Sequence, residues 1–292
     1  MREITKSVLQ FLLYFIVVLI LSALLAPWLF SFLPFKFDRI MRRLIMIGTL
    51  FLVFWFMRAR KQSLSQLGLA WGGESGPLWG RGFLAGVGMV VLITLVQWAL
   101  GARFWQPKET DLGHWVGFFF KGFGAGLVIG VIEEFFFRGF LFFTLKELWN
   151  TKVSLFVTNL IYALVHFFPK GRSFPGEEPT VMDGFRLLAA ILMPQPAQWA
   201  AVWPAVLGLF LFGLVLSFVF LRTRSLYPSI GIHAGAVFAM KLNRRFLPDV
   251  SEKMNFLSGT KNLYDGIAGL VILGGTALAT GWWAGRPPKK RQ

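Results

Sequence analysis

From Val8 to Phe32 the chain carries no charged residue. A helix needs about 20 apolar residues, at about 1.5 Å each, to cross the hydrocarbon core of a bilayer. Comparable apolar blocks recur at about Arg43–Met57, Phe83–Leu100, Trp115–Leu145, Val153–Phe168 and Trp203–Leu221, then from Pro228 and over Leu263–Trp283. Lipid offers no partner for backbone polar groups, so such blocks are expected to satisfy their own hydrogen bonds as helices. The expected fold is all-α, a polytopic transmembrane helical bundle with about eight membrane helices. It is expected to form a single integral membrane domain over residues 1–292. Arg2 and Lys6 precede the first block as they would in a signal peptide. The block is longer than the roughly 7–15 residues of a signal h-region, so a retained helix is expected.

Composition supports this reading and narrows the partners. Of 292 residues, 55% are hydrophobic and 15% charged, too little charged surface for a soluble domain. Lys and Arg number 30 against 14 Asp and Glu, a formal charge of +16. The basic residues sit in short clusters between the apolar blocks, such as Lys36, Arg39, Arg42 and Arg43, and Lys289, Lys290 and Arg291. That placement suits the headgroups of a lipid bilayer and does not suit nucleic acid. The chain has no cysteine, which excludes disulfides, thiolate metal sites and a cysteine nucleophile.

The fourth block is apolar almost throughout, yet it holds Glu133, Glu134 and Arg138. An ionisable group at the centre of a membrane helix costs about 2.5–3.5 kcal/mol on insertion scales, so each needs compensation. Glu134 and Arg138 are four residues apart, share a helix face and can pair. Glu133 points about 100° away, so its partner is expected from another helix. Only three histidines are available. His114 is at a loop edge, where a surface role is expected, whereas His166 and His233 lie within or at the end of apolar helices. Three polar groups on three helices most economically meet in one pocket. There, Glu133 with His166 could deprotonate a water aimed at a peptide carbonyl, and His233 could donate to the oxyanion.

The motifs point the same way. Glu133-Glu134-x-x-x-Arg138 runs into Gly139-Phe140-Leu141, Tyr162-x-x-x-His166 follows, and His233-Ala234 opens a later helix. In type, order and helix placement they resemble the CAAX protease and bacteriocin-processing (Abi) family of intramembrane glutamic endopeptidases, from about Gly124 to Ala239. The resemblance implies a peptide hydrolase of the membrane without metal or other cofactor, with a catalytic core at about 115–241. It implies that Glu133 and His166 activate the water, that His233 helps form the oxyanion hole, and that Glu134 and Arg138 form the adjoining pair. The implied substrate is a membrane-associated protein or peptide, and the implied location is the plasma membrane of a prokaryote. Two positions depart from the family pattern. Tyr162 stands where Phe is frequent, and Val237 stands where the last motif has Asn. A valine cannot donate to an oxyanion. Asn159, seven residues before His166 and about 10 Å away along the axis, is the candidate substitute.

Alternatives remain open at this level. Glu133, His166 and His233 also compose a zinc ligand set with an open position. A catalytically weak or inactive member could act as a membrane immunity or interaction protein. Other peptidase classes fit less well. A rhomboid-type enzyme needs Gly-x-Ser-Gly in a membrane helix, a site-2 type needs His-Glu-x-x-His, and both are absent. Tyr264-Asp265 matches one of two presenilin-like motifs, and Asp265 is expected at the interface before the last helix. The connection Lys170–Gln198, with Glu177, Glu178 and Asp183, has an amphipathic stretch at Met182–Met193. It reads as an ordinary interfacial loop or as a docking surface for substrate.

Overall fold

A computed structural model describes residues 2–104, 111–167, 178–192, 196–246, 255–259 and 262–286. All regular elements among them are helices. They are α1 (Arg2–Phe30), α2 (Phe37–Ala59), α3 (Ser75–Ala99), α4 (Leu112–Glu134), a π-helical segment (Phe135–Leu141) and α5 (Phe142–Leu148). Then come α6 (Thr151–Val165), α7 (Val181–Leu192), α8 (Pro196–Thr223), α9 (Tyr227–Phe246), α10 (Asn255–Ser258) and α11 (Ile267–Gly285). Six runs are long and apolar enough to cross a membrane: Val8–Phe30, Phe37–Ala59, Ser75–Ala99, Gly113–Leu148, Val202–Thr223 and Ile267–Gly285. The shorter α6 and the more polar α9 occupy the places of the fifth and seventh expected blocks. The protein is an all-helical, multi-pass membrane protein. Glu177 and the basic tail from Pro287 lie outside the described residues.

The chain divides into two compact units, residues 1–63 with 164–202 and residues 64–163 with 203–292. In the first, α1, α2 and α7 share a core of Leu19, Ala23, Ala26, Phe37, Ile40, Met41, Leu187, Leu188 and Ile191. The expected amphipathic stretch coincides with α7 up to Leu192; Met193 lies outside the described residues. The start of α7 is fixed by a capping box, in which Thr180 N–H donates to Asp183 Oδ2 at 2.9 Å and Asp183 N–H to Thr180 Oγ1 at 3.4 Å. Its apolar face packs on α1, where Gly184 lies against the Ala23 carbonyl so closely that a Cβ would collide with it.

The second unit is built around α9. Gly82 and Gly86 of α3 press on the carbonyls of Pro228 and Ile232, while Gly231 and Gly235 of α9 press on those of Trp79 and Phe83. On the other side of α9, Gly126 and Gly130 of α4 face the carbonyls of Ala234 and Ile230. The numbering rises together along α3 and α9 and runs oppositely along α4 and α9, so α3 is parallel to α9 and α4 antiparallel. Without a hydrophobic drive inside lipid, helices associate through close packing, and glycines four residues apart let backbones touch. The strings Gly82-x-x-x-Gly86, Gly231-x-x-x-Gly235 and Gly122-x-x-x-Gly126-x-x-x-Gly130 supply that surface.

A buried polar network closes the unit where α3 ends. Gln97 donates from Nε2 to the carbonyls of Ser258 (3.1 Å) and Leu263 (3.2 Å), and its Oε1 accepts from Arg103 Nε at 2.6 Å. Burial lowers the pKa of Arg103, and the charge of Asp265 works against that shift. Asp265 precedes α11, at the helix start where it was expected.

Candidate active site

Glu133 and Glu134 are the last residues of α4, at the point where the α-helix gives way to the π turn of Phe135–Leu141. The π turn interrupts what the sequence reads as one regular helix over Trp115–Leu145. Single π turns inside α-helices are frequent at functional sites. Adjacent residues on a helix face different surroundings, and the two carboxylates differ accordingly. The Glu133 side chain is 26% exposed and that of Glu134 is fully buried.

Glu134 is the hub of the buried cluster. Its Oε1 accepts from Arg138 Nη1 at 3.0 Å and lies 2.8 Å from His233 Nδ1. A carboxylate accepts, so the ring donates from Nδ1 and turns Nε2 away from Glu134. Nε2 then stands 3.8 Å from Glu133 Oε2, an ion-pair separation too long for a hydrogen bond. Glu134 Oε2 is buried and makes no hydrogen bond among the described residues.

Arg138, also fully buried, is held on three further sides. Its Nη2 donates to Asn159 Oδ1 at 3.2 Å and to the Gly213 carbonyl at 3.0 Å. Its guanidinium lies 4.6 Å from the ring centroid of Tyr162, within cation–π range. Asn159 in turn accepts from Ser217 Oγ at 3.1 Å and donates from Nδ2 to the Leu155 carbonyl at 2.8 Å. Those bonds aim Asn159 at Arg138. The His233 ring is edge-on to Phe212 and Tyr162, with centroids 5.6 and 6.1 Å away, and is 3% exposed.

The structure therefore brings together Glu133, Glu134, Arg138, Asn159, Tyr162 and His233, from α4, the π turn, α6 and α9. His166 lies in the turn just after α6, half-buried, among the residues of the first unit. Val237 is half-buried one turn after His233 on α9. His114 is exposed in the first turn of α4, where its backbone N–H caps onto Asp111 Oδ2 at 2.9 Å. Sequence reading missed the link from Glu134 to His233 and the contributions of Gly213 and Ser217. Gly213-x-x-x-Ser217, two small residues one turn apart in an apolar helix, was the available signal. A Gly-x-Ser-Gly string does exist, at Gly73-Glu74-Ser75-Gly76, but it straddles the start of α3. Ser75 Oγ there accepts from Gly72 N–H at 3.0 Å and donates to the Ala70 carbonyl at 3.3 Å, a turn-closing role.

Buried carboxylates and a histidine gathered on helices of a multi-pass bundle mark this cluster as the candidate site. Residues 115–239 match the family model described as type II CAAX prenyl endopeptidase Rce1-like. The matched stretch is the one whose motifs resemble the CAAX protease family, and at family level the match is to a CAAX-type membrane peptide hydrolase. No curated protein and no solved structure matches the chain.

Proposed function

We propose that the protein is an intramembrane endopeptidase that hydrolyses a peptide bond of a membrane-associated protein or peptide, with its catalytic core at about 115–241. The observation that carries this reading is the pair of carboxylates on either side of His233. Glu134 fixes the ring through Nδ1, and the more accessible Glu133 faces Nε2. Glu133 takes a proton from a water, whose oxygen attacks the scissile carbonyl carbon. His233, held through Nδ1 by Glu134, offers Nε2 to the oxyanion of the tetrahedral intermediate, a role that calls for a proton on both ring nitrogens. The carbon–nitrogen bond then breaks, and the leaving amine takes the proton from Glu133. His166 shares the water by resemblance to the family's motif. Glu134, Arg138, Asn159 and Tyr162 position the ring and touch no reacting atom. The proposed location is a prokaryotic plasma membrane.

The test compares the full-length wild type with Glu133→Gln in detergent on a panel of quenched membrane peptides. The panel includes prenylated C-terminal CAAX peptides, which the description of the matched family brings forward. Each reaction is run with and without a zinc chelator. Loss of a general base is expected to lower the rate by about 10²–10⁴. Cleavage that survives in the variant would sink the glutamate mechanism, and chelator-sensitive cleavage would move it to zinc. A second reading, an interaction or immunity protein with little activity, is favoured by Val237. Loss of one oxyanion donor costs about 10²–10³ in rate. A Glu133→Gln variant that retains full biological activity would favour that second reading.

A further inference from the structure

Lys121 lies within the apolar run Gly113–Leu148, and the glycine contacts of α4 with α9 bring it beside the last turn of α9. The two helices are antiparallel, so the start of α4 meets Lys241, Arg244 and Arg245. Together with Phe118, Gly122 and Leu242 these four cations line a cavity of about 440 Å³. No acidic residue among the described residues lines it. Arg245 is half-buried with its guanidinium 3.9 Å from the Phe118 ring centroid, and Arg244 donates to Asn262 Oδ1 at 3.2 Å. Both arginines are thereby held in place at the cavity wall. Lys121 and Lys241 are exposed and have no hydrogen-bond or ion-pair partner among the described residues. Asp111, which lines an adjoining recess with Lys121, is engaged by His114 through two contacts of 2.9 Å.

We propose that this cavity binds the phosphodiester headgroup of an anionic phospholipid. Four like charges gathered beside an apolar span repel one another, and an anion between them removes the repulsion. Oriented cations at the end of a membrane helix are the chemistry that recognises a lipid phosphate. The neighbouring outward face of α4 presents exposed Val116, Phe119 and Phe120, along which acyl chains can lie. That adjacency favours a lipid over free phosphate. Gly122 leaves the floor open, since a Cβ there would meet the Phe238 ring at 3.4 Å and Lys241 Cβ at 3.9 Å. The site lies twelve residues before Glu133 on the same helix, about 18 Å along its axis. It is thus separate from the proposed catalytic cluster and holds whether or not the protein cuts peptides.

The full-length protein in nanodiscs is titrated with a fluorescent phosphatidylglycerol and, separately, with the phosphatidylcholine analogue. Four proteins are compared: wild type, Lys121→Gln/Lys241→Gln, Lys121→Arg/Lys241→Arg, and Arg58→Gln/Lys61→Gln, which removes equal charge elsewhere. The expected result is preferential phosphatidylglycerol binding, weakened about tenfold by the Gln pair, restored by the Arg pair and unchanged by the Arg58/Lys61 control pair. Equal binding of both lipids, or an undiminished signal in the Gln pair, overturns the proposal. So does an equal loss in the control pair, which would mean unspecific attraction. Full displacement by millimolar inorganic phosphate would assign the site to free phosphate and overturn the lipid. Melting curves of all four proteins in detergent separate a binding defect from a folding one, and the Arg pair keeps the test decisive if the Gln pair is unstable.

Discussion

The two units of the chain hold their helices together in different ways. Around α9 the contacts are backbone on backbone, with six glycines from three helices pressed against carbonyls. In the α1–α2–α7 unit the described core is made of Leu, Ile, Met, Phe and Ala side chains; only Gly184 is pressed on a carbonyl there, while Gly48 meets the flexible side chain of Val18. Side-chain packing tolerates small shifts by changing rotamers. Backbone contact does not, and it sets helix positions to a fraction of an ångström. The charged cluster of Glu134, Arg138 and His233 is in the backbone-packed unit, where hydrogen bonds of 2.8–3.0 Å must be held without water.

The harshest way to break this difference is to remove the charge that the rigid frame is built to accommodate. Arg138→Met deletes the cationic partner of a fully buried carboxylate, leaving it to His233 alone, and removes the Arg138 donor from Asn159 Oδ1 and the Gly213 carbonyl. A loss of about 3–5 kcal/mol is expected, read as a large drop in melting temperature in detergent. A variant as stable as the wild type would mean that the cluster is not held as tightly as its geometry implies.

Next in size is the frame itself. Gly86→Ala places a Cβ against the Ile232 carbonyl, with backbone on both sides and no flexible atom to give way. About 3 kcal/mol of destabilisation is expected from such overpacking. Gly88→Ala, on the same helix with nothing within 4 Å of its Cβ position, is expected to be neutral or slightly stabilising. Equal melting temperatures for the two alanine variants would erase the distinction between the units. The corresponding change in the other unit is a large-to-small one. Leu187→Ala opens a cavity in the α1–α2–α7 core and should cost about 2 kcal/mol, because flexible neighbours partly fill the space.

The same contrast explains how much was legible in the sequence. Helix number and placement follow from apolar block length, because lipid leaves the backbone no alternative to a helix. Glu133, Glu134, Arg138 and His233 stand out because charge and imidazole inside such blocks need a reason to be there. The π turn at Phe135–Leu141 does not stand out. Arg138 apart, its residues are as apolar as those of a regular helix, so no local pattern marks the wider turn. The Glu134–His233 bond was also hidden. Helical spacing pairs Glu134 with Arg138, and only the close approach of α4 to α9 shows that one carboxylate serves both. Asn159 was singled out as an oxyanion donor on its helix phase alone, whereas its side-chain bonds direct it to Arg138.

The smallest expected effect concerns the start of α7, where the side-chain-packed unit depends on a local cap. Hydrogen bonds from the backbone N–H and then the hydroxyl of Thr180 hold the Asp183 carboxyl below the ordinary aspartate range. Its pKa is lower in the folded chain than in the unfolded one. The capping contribution is therefore fully present above the ordinary aspartate pKa of about 4 and is lost as pH falls through the lower folded value. Asp183→Asn, which keeps the shape and removes the charge, is expected to speed hydrogen exchange of the α7 amides modestly at pH 7. The difference between wild type and variant should shrink as the pH is taken below about 4. The α3–α9 amides, whose packing has no such carboxylate, should exchange alike in the two proteins across the same range. A difference that persists at low pH would mean that α7 is held by its apolar face alone, with the capping box contributing nothing measurable.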